Sequence, residues 1–297
     1  MTRVALIGSN GQLGSDIARL WAASEGGKRG DELIGLVHND IEVTDEVQVR
    51  SVLSGIQPSL VINTSAYHRV DECESNPLQA LEVNGLAVKF LAEACREVGA
   101  VLMHFSTDYV FDGEATTPYA ETDAARPISA YGISKFAGEQ YLRYLMPEDH
   151  IIIRSSGLYG VAGASGKGGN FVETMLRFAR TGREIKVVQD QVSAPTSTVD
   201  VAATVLDIVA KGGRGTYHVT NAGQCSWFDF AREIFSLTGL SPDLSPTTSA
   251  DYAAAALRPA YSVLANTRLA ELGIAPLRPW QEALAQYLQI KGHRLAA

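Results

Sequence analysis

The chain has 297 residues, of which 46% are hydrophobic, so it can bury a full core in one large or two modest domains. Its formal net charge of -8 at pH 7 argues against a non-specific nucleic-acid binder, which would present a basic stripe to phosphates. Neither a signal peptide nor a membrane span is predicted, and the cysteines, Cys73, Cys95 and Cys225, fit a reducing compartment, so we expect a cytoplasmic protein.

A strand followed by a glycine-rich turn opens the chain. Residues 4–7 are apolar and precede Gly8-Ser-Asn-Gly11-Gln-Leu-Gly14, after which the pattern predicts an amphipathic helix. The glycines let the backbone turn tightly and approach a pyrophosphate, which then rests against the positive end of the helix. An ordinary glycine-rich turn is the alternative, and it is weakened by a second motif with complementary chemistry downstream.

Up to about Ser156, short apolar strands alternate with amphipathic helices. This alternation predicts an α/β fold in which helices cover both faces of a doubly wound parallel sheet. Ligands of such sheets bind beyond the carboxyl ends of the strands, where Gly8, Asn63, Thr107 and Ser155 all fall. The predicted strands cover residues 4–7, 33–37, 60–62, 101–105 and 151–154, and the helices between them include 88–98 and 131–144.

Two strings near the middle of the chain carry the second motif, Ser106-Thr107-Asp108-Tyr109 and Tyr131-Gly-Ile-Ser-Lys135. In a helix, residues four apart share a face, so the ammonium of Lys135 is expected beside the phenol of Tyr131. A free phenol has a pKa of about 10, and a nearby cation lowers that pKa, which makes the hydroxyl a better acid. Tyr131 can then protonate a carbonyl during its reduction, while a hydroxyl of Ser106 or Thr107 holds the same oxygen. A chance pairing on a surface helix is the alternative.

Beyond Ser156 the pattern changes. The segment 157–169 is glycine-rich and is predicted to hold no regular structure, and Asn170 is expected to cap the helix that follows. The remaining predicted elements are a helix over 171–181, a helix over 199–210, a strand over 216–219, a helix from Ser226 to Thr238 and a last helix from Trp280. The predicted domains are an NAD(P)-binding domain of the Rossmann type over residues 1–156 and about 199–221, and a smaller substrate-binding lobe over about 157–198 and 222–297.

Together, these motifs resemble those of the extended short-chain dehydrogenase/reductases, and within them the dTDP-4-dehydrorhamnose reductase family, over essentially the whole chain. The most specific string is Ser106-Thr-Asp-Tyr-Val-Phe-Asp-Gly113, whereas the glycine loop alone fits many folds. The other strings are Asn63-Thr-Ser-Ala-Tyr67 with Val70-Asp71, and Asp190-Gln-Val-Ser-Ala-Pro-Thr196. The resemblance implies NAD(P)H-dependent reduction of a nucleotide-linked 4-keto-6-deoxyhexose, such as dTDP-4-dehydrorhamnose to dTDP-L-rhamnose, or of a related deoxysugar.

The resemblance also implies roles for individual residues. Tyr131 is the expected proton donor, Lys135 holds the cofactor ribose and tunes Tyr131, and Thr107 hydrogen-bonds the carbonyl or relays a proton. Asn84 occupies a position that family members use to stabilise the site. The expected cofactor-binding residues are Gly8, Asn10, Gly11, Gln12, Leu13, Gly14, His38, Glu42, Val43, Ala66, Tyr67, Phe105, Tyr131 and Lys135. The expected substrate-binding residues are His68, Thr107, Asp108, Tyr109, Tyr131, Asn170 and Arg258.

Two departures from the family's pattern concern the sugar. The family usually has a tryptophan where this chain has Gly157, and a threonine where it has His68. The loss of an apolar wall and the gain of a bulkier group leave the identity of the sugar open. Lys167, in the glycine-rich segment, and Arg258 are each expected either to meet a phosphate or to be solvated.

The end of the second predicted strand bears on the cofactor. His38 and Asn39 stand where an acidic residue would bind a ribose 2′-hydroxyl and repel a 2′-phosphate, so NADPH is favoured and NADH stays an alternative. No arginine is there to clasp the phosphate, and His38 is equally well interpreted as a turn residue. No metal is expected, since Asp16 and Asp200 are better explained as charges at helix starts.

A nucleotide-binding regulatory subunit, resembling the β subunit of methionine adenosyltransferase, is the alternative function. Gly157 keeps this alternative open, whereas the intact Tyr131 and Lys135 argue against it. A homodimer is expected from the family and from the prevalence of two-fold assemblies, and neither a nucleic acid nor a membrane is an expected partner.

Overall fold

A parallel sheet lies at the centre of the protein, whose structure, a computed structural model, describes residues 2–162 and 169–295. The strands in chain order are β1 (Arg3–Ile7), β2 (Glu32–Leu36), β3 (Leu60–Asn63), β4 (Val101–Thr107), β5 (His150–Ser155), β6 (Leu158–Tyr159), β7 (Ile185–Val188), β8 (Val192–Ser193), β9 (Thr196–Ser197), β10 (Gly215–His218), β11 (Cys225–Ser226) and β12 (Leu244–Thr247). Among the described residues, six strands form the central sheet in the order β10-β5-β4-β3-β1-β2, all paired in parallel. The small pairs are β6 with β9, β7 with β12 and β8 with β11.

Helices connect the strands, and local side chains fix where several of them begin. The helices are α1 (Gln12–Trp21), α2 (Glu25–Lys28), α3 (Glu46–Ile56), α4 (Val70–Ser75), α5 (Pro77–Leu81), α6 (Ala87–Val98), α7 (Ala130–Leu145), α8 (Phe171–Ala179), α9 (Thr198–Ala210), α10 (Trp227–Thr238), α11 (Ser249–Tyr252) and α12 (Trp280–Ile290). A π-helical turn, Glu82–Leu86, joins α5 to α6. The side chains of Ser129, Asn170 and Ser226 cap α7, α8 and α10 by accepting a backbone N–H from the first turn.

Successive side chains of a strand point to opposite faces of the sheet, and here the side chains on both faces are apolar. Helices therefore cover both faces. Leu6, Ile62 and Ile153 point to one face, where they pack with side chains of α1 and α9. Val61 and Ile152 point to the other face and pack with α3, α6 and α7. Burying a side chain of this size stabilises a fold by about 1.5–3 kcal/mol. The predicted fold class, a doubly wound parallel α/β sheet, is confirmed.

A separate aromatic cluster forms in the second half of the chain. Phe230 lies within 5.6 Å of Trp280, measured between ring centroids, and Tyr159 lies 5.2 Å from Tyr287. These rings come from α10, α12 and β6, and side chains of α8 and β7 complete the cluster. The division of the chain into two domains stays a prediction.

Most predicted strands and helices agree with the structure to within one or two residues at their ends. The prediction that segment 157–169 holds no regular structure is wrong at its start, because β6 pairs there with β9. The π-helical turn and the two-residue strands were not predicted, since they are too short to show a periodic pattern. None of the described helices is both long and apolar enough to cross a membrane.

Candidate active site

Polar residues that follow the strands of the central sheet meet at one edge of it. The register places Ile7 opposite Asn63 and Thr107 opposite Ser155, so the carboxyl ends of β1, β3, β4 and β5 lie side by side. The chain passes from β2 back across β1 to β3, which makes the gap between β1 and β3 the switch point of the sheet. Thr64 closes this point by donating its hydroxyl to the carbonyl of Ile7 at 2.8 Å.

The glycine-rich turn after β1 packs closely against the start of α1. A Cβ at Gly14 would lie 2.1 Å from the carbonyl oxygen of Gly8, so only glycine lets the helix start pack on the turn. Gly11 is the N-cap of α1 and no acidic side chain lies in the first turn of that helix. The positive end of α1 therefore faces no acidic side chain of its own first turn, and its expected contact with a pyrophosphate stays a prediction. Leu13 is buried in the core, whereas Asn10 is exposed at the turn.

Tyr131 lies in the first turn of α7, against the end of β4. A Cβ at Gly132 would lie 2.2 Å from the carbonyl oxygen of Tyr109, so glycine allows α7 to approach this strand end closely. The rings of Tyr109 and Tyr131 make an edge contact, with centroids 5.8 Å apart. The phenol of Tyr131 interacts with the hydroxyl of Thr107. Two of the three expected catalytic side chains, Thr107 and Tyr131, are thus in contact.

The two hydroxyls left open by the sequence, those of Ser106 and Thr107, point in opposite directions. Successive residues of a strand face opposite sides, so only one of them can reach the site. Ser106 donates to Oε1 of the buried Glu139 at 2.5 Å. Thr107 faces Tyr131 and donates to Oδ1 of Asp108 at 3.0 Å. Of the two hydroxyls, that of Thr107 is therefore the one beside Tyr131, and its contact with a substrate stays a prediction.

The expected effect of Lys135 on Tyr131 is not what the structure has. Burial raises the pKa of Tyr131, and the Thr107 hydroxyl opposes this rise. The amino group of Lys135 instead lies 3.2 Å from Nε2 of His104 in β4. The prediction that an adjacent ammonium lowers the phenol's pKa is therefore wrong for this arrangement, because the phenol is buried and the lysine is held by a different partner.

Lys135 is almost completely buried, with 2% of its surface exposed. Burial lowers its pKa to about 7, and the field of Glu139 opposes that change. Strong perturbation of a buried lysine beside a cleft is typical of functional sites. His104 is completely buried, as expected for a core histidine. It also contacts Lys135, the expected catalytic lysine.

A buried ion pair lies one helical turn beyond Lys135. Glu139 is paired with Arg154 of β5 through two hydrogen bonds, of 2.9 and 2.7 Å, and Arg143 adds a contact of 3.0 Å. Although burial alone raises the pKa of Glu139, its bonds to Arg154 and the other donors outweigh burial and lower it. Sequence reasoning missed this pair. The spacing of residues 131, 135 and 139, each four apart on one helix face, was the available signal.

Asp108 is a buried carboxylate held by hydroxyls rather than by a cation. Its Oδ2 accepts hydrogen bonds from Ser156 at 2.7 Å and from Ser262 at 2.5 Å, in addition to the Thr107 contact. Burial raises its pKa, and these hydroxyl bonds act in the opposite direction. Ser262 comes from the C-terminal part of the chain, so Asp108 ties that part to the end of β4. The expected contact of Asp108 with a substrate stays a prediction.

Arg258 lies near the site but is engaged with the protein. Its guanidinium makes two hydrogen bonds to Asp71 of α4, of 3.1 and 2.7 Å. Asp71 also accepts the backbone N–H of Ala256 at 3.1 Å, and Arg258 interacts with the hydroxyl of Tyr109. Arg258 is therefore not a solvated surface arginine. Its expected contact with a diphosphate stays a prediction, as does the contact of Tyr109 with the sugar.

Asn84 fastens the loop after β3 to helix α7. Its side chain exchanges two hydrogen bonds with the backbone of Tyr67, of 2.9 and 3.0 Å, and donates to the hydroxyl of Ser134 at 3.0 Å. It lies in the π-helical turn, and such turns occur frequently at functional sites. Ala66 and His68 flank Tyr67 in this loop and are partly exposed. These bonds tie the loop to α7 at the edge of the sheet.

The second strand ends in a polar turn. His38 lies 3.4 Å from a carboxylate oxygen of Glu42, and its side chain is 82% exposed. Glu42 accepts hydrogen bonds from the backbone N–H and the hydroxyl of Thr44, at 3.0 and 2.7 Å. Val43 is buried, and so is Phe105 of β4. The contacts of His38, Glu42, Val43 and Phe105 with a cofactor stay predictions.

Gln12 and Asn170 link the glycine turn to the second half of the chain. Gln12 donates to the carbonyl of Leu158 at 3.2 Å. The amide of Asn170 donates to the hydroxyl of Tyr287 at 3.0 Å and accepts the N–H of Glu173 at 3.1 Å. Because this amide caps α8, its expected contact with a substrate stays a prediction. Lys167 lies outside the described residues.

Neither carboxylate considered for a metal stands alone. Asp16 accepts the hydroxyl of Thr198 at 2.6 Å, and Asp200 is paired with Arg278 at 2.9 Å. The described residues contain no cluster of three or more histidine, cysteine or acidic side chains that could hold a metal ion. Asp16 was expected to be a charge at the start of α1, but it lies beyond the first turn of that helix. Its bond to Thr198 instead links α1 to α9.

Comparison with known proteins identifies the family. The model of the RmlD substrate binding domain matches residues 2–292. The chain belongs to this RmlD family. A dTDP-4-keto-6-deoxy-D-glucose reductase of Streptomyces niveus is 38% identical over 96% of this chain and 96% of its own length. A dTDP-4-dehydrorhamnose reductase of Clostridium acetobutylicum is similar in structure, with a TM-score of 0.90, 40% identity and coverage of 97% of this chain and 99% of that one.

A further RmlD-family structure bears on the cofactor. The dTDP-4-dehydrorhamnose reductase of Bacillus anthracis, solved in complex with NADP, has a TM-score of 0.90 and 35% identity, and the match covers 97% of this chain and 99% of that one. The resemblance drawn from the sequence motifs is therefore confirmed. Because these RmlD relatives are reductases by name, they do not favour a regulatory subunit.

Proposed function

We propose that this protein is a reductase that uses NADPH to reduce a dTDP-linked 4-keto-6-deoxyhexose, with dTDP-4-dehydrorhamnose to dTDP-L-rhamnose as the expected reaction. The observation that carries the proposal is the contact between Thr107 and Tyr131 at the switch-point edge, one helical turn from Lys135. Relatives with the corresponding names span nearly the whole chain at 36–40% identity. NADH, a related deoxysugar, a cytoplasmic location and a homodimer stay predictions.

The residues at the sheet edge fit a dinucleotide. The turn from Gly8 to Gly14 and the start of α1 would hold the pyrophosphate, while Val43, Ala66 and Phe105 would line the cofactor. When bound, NADPH supplies the hydride for the sugar carbonyl. The NADP complex of the Bacillus anthracis relative supports this choice. Positions 37–39, directly after β2, carry no acidic side chain, and the carboxylate of Asp40 in the same turn accepts the backbone N–H of Val37 at 2.8 Å.

Tyr131 is suited to deliver the proton that carbonyl reduction needs. Burial raises its pKa, so the phenol is protonated at neutral pH and can act as a general acid. Thr107 stands beside it and would hydrogen-bond the same carbonyl oxygen. Lys135 would bind the ribose of the cofactor and stabilise the phenolate that Tyr131 becomes after proton transfer.

The proposed substrate side of the site contains Gly157 and His68, the two positions at which this chain departs from the family's pattern. We infer that the segments of about 157–198 and 222–297 form the lobe that receives the nucleotide sugar. Trp227 of α10 lies 3.4 Å from the point that a Cβ at Gly157 would occupy. Its ring therefore fills part of the space that a side chain at 157 would take. His68, on the loop after β3, would approach the sugar from the opposite wall.

The proposal is tested by following NADPH oxidation with dTDP-4-dehydrorhamnose as substrate. The Tyr131→Phe variant is expected to lose about 10²–10⁴-fold in turnover, because general acid catalysis contributes that much, and to bind NADPH as wild type does. Tyr144→Phe is the matched control, since that tyrosine lies on the same helix with 81% of its surface exposed. Equal rates in wild type and Tyr131→Phe would overturn the assignment of the acid.

A further inference from the structure

A chain of side chains runs through the core from β3 to the amino group of Lys135. His104 of β4 is completely buried and stands between Asn63 and Lys135. Its Nδ1 lies 3.2 Å from Nδ2 of Asn63, and its Nε2 lies 3.2 Å from Nζ of Lys135. Both ring nitrogens are therefore engaged, and the partners decide which of them carries a proton.

The orientation of the Asn63 amide is fixed by Ser65. The backbone N–H of Ser65 donates to Oδ1 of Asn63 at 3.1 Å, and the Ser65 hydroxyl donates to the same oxygen at 2.6 Å. A backbone N–H can only donate, so the atom that faces it must be the amide oxygen. The amide nitrogen of Asn63 is consequently the atom that faces His104.

This orientation selects one tautomer of His104. An amide NH₂ only donates, so Nδ1 of His104 must accept, and the ring proton must sit on Nε2. Protonation of both nitrogens would set the Nδ1–H and the Asn63 amide N–H against each other as two donors, and burial keeps the pKa of His104 well below its usual range. The imidazole is therefore neutral, with its Nε2–H directed at Lys135.

An ammonium has three donors and no acceptor, so it makes no hydrogen bond with an Nε2–H. A neutral amine has a lone pair and accepts that bond. We propose that, in the protein without ligands, His104 is a positioning residue that holds Lys135 as a neutral amine by donating Nε2–H to it, in a tautomer selected by Asn63 and Ser65. The ammonium form of Lys135 is the one that leaves His104 and stabilises the Tyr131 phenolate. The inference rests on the proposed function for the role of Lys135 in turnover.

The surroundings of Lys135 couple its protonation state to its position. Glu139, on the same helix face, is the carboxylate whose field favours the ammonium, but Arg154 and Arg143 already neutralise it. Among the described residues of β3, the hydrogen-bond partner of His104 is Asn63, whose amide is uncharged. A charged Lys135 loses its bond to Nε2–H and turns towards acceptors such as the Tyr131 hydroxyl, four residues earlier on the helix.

The first test measures the tautomer of His104 by ¹⁵N NMR of the full chain without ligands, since a protonated and an unprotonated ring nitrogen have distinct shifts. The His104→Phe variant assigns the signal among the six histidines. We expect the proton on Nε2 in wild type. The Asn63→Asp variant should move it to Nδ1, because a carboxylate accepts from Nδ1–H. A proton on Nδ1 in wild type overturns the proposal. If His104→Phe does not fold, backbone-to-side-chain NMR correlations in wild type assign the same signal.

The second test is the pH profile of kcat/KM for NADPH-dependent reduction. In Asn63→Asp, Nε2 becomes an acceptor, so the limb that belongs to Lys135 should move to higher pH by about one unit or more. In the His104→Phe background, the same Asn63→Asp change should give a much smaller shift, because the relay is gone. Equal shifts in both backgrounds would mean a direct charge effect and would overturn the proposal. Asn76→Asp, at an exposed position, is the matched control for added charge.

The two measurements separate this inference from the proposed function. The NMR spectrum requires no substrate and no turnover. Absence of reductase activity together with the Nε2–H tautomer would count against the proposed function alone. Reductase activity together with the Nδ1–H tautomer would count against the role of His104 alone.

Discussion

Two buried regions on one face of helix α7, around Glu139 and around Lys135, differ in whether an opposite charge compensates the ionisable side chain. Glu139 is fully buried and compensated, with two hydrogen bonds from Arg154 and one contact from Arg143. Lys135, one turn earlier, is almost as deeply buried but has the uncharged His104 as its hydrogen-bond partner. The first region keeps its charge, and the pKa of Glu139 is lowered, whereas burial lowers the pKa of Lys135 to about 7. Equal burial thus gives a structural ion pair in one place and a titratable group in the other.

Removal of Lys135 is the strongest way to sharpen this comparison. We expect Lys135→Met to lower turnover by about 10²–10⁴-fold without lowering stability, since the variant replaces a buried amine, whose charged form burial disfavours, with an apolar side chain. NADPH oxidation and thermal unfolding of the same samples measure both effects. Lys89→Met is the control, because Lys89 is a partly exposed partner of Glu93 on α6. A large loss of stability in Lys135→Met would contradict the contrast.

Removal of Glu139 should have the opposite balance. Glu139→Gln leaves Arg154 buried without its carboxylate, and breaking such a pair costs about 3–5 kcal/mol of unfolding free energy. Denaturant unfolding measures this loss. The double variant Glu139→Leu with Arg154→Met should recover much of it, because neither charge is then left unpaired. A Glu139→Gln variant as stable as wild type would show that the pair is not structural.

The pH dependence of stability distinguishes the two regions in a single titration. The pKa of Lys135 is lowered in the folded state, so between about 7 and the ordinary lysine value of about 10.4 the unfolded chain binds the extra proton. Wild type should therefore gain stability relative to Lys135→Met as the pH rises through this window, by at most about 1.4 kcal/mol per unit. A stability difference that is flat with pH would show that Lys135 stays charged in the folded protein.

The smallest effect is expected at the pair between Asp71 and Arg258. The Asp71 side chain is 50% exposed, and exposed ion pairs contribute about 1 kcal/mol or less. Asp71→Asn should therefore change the unfolding free energy by less than about 1 kcal/mol, in contrast to Glu139→Gln. Chemical denaturation of the two variants side by side makes the comparison. A loss as large as that of Glu139→Gln would place this pair in the same class as the buried one.

The fold and the principal site residues were predictable because they depend on local patterns. The short apolar strands, the glycine turn from Gly8 to Gly14 and the spacing of Tyr131 and Lys135 are all visible along the chain. The choice between Ser106 and Thr107 needed the orientation of β4, which shows only when its neighbours are in place.

Contacts between distant segments could not be predicted from one sequence. The pairing of Glu139 with Arg154, the contact of His104 with Lys135 and the engagement of Arg258 by Asp71 each join different elements. The predicted direction of the pKa shift of Tyr131 was wrong for the same reason. The sequence shows that a cation lies four residues away, but not that burial outweighs it.

The most direct test of the proposed reaction uses NADPH that carries deuterium at the transferable position of the nicotinamide. With dTDP-4-dehydrorhamnose as the substrate, the account predicts that deuterium appears at C4 of the hexose, one atom for each NADPH oxidised, as measured by mass spectrometry and NMR of the dTDP-sugar. Transfer should fail in Tyr131→Phe and persist in Tyr144→Phe. NADPH oxidation that leaves no deuterium at C4, or no oxidation by a protein that binds NADPH, would contradict the account.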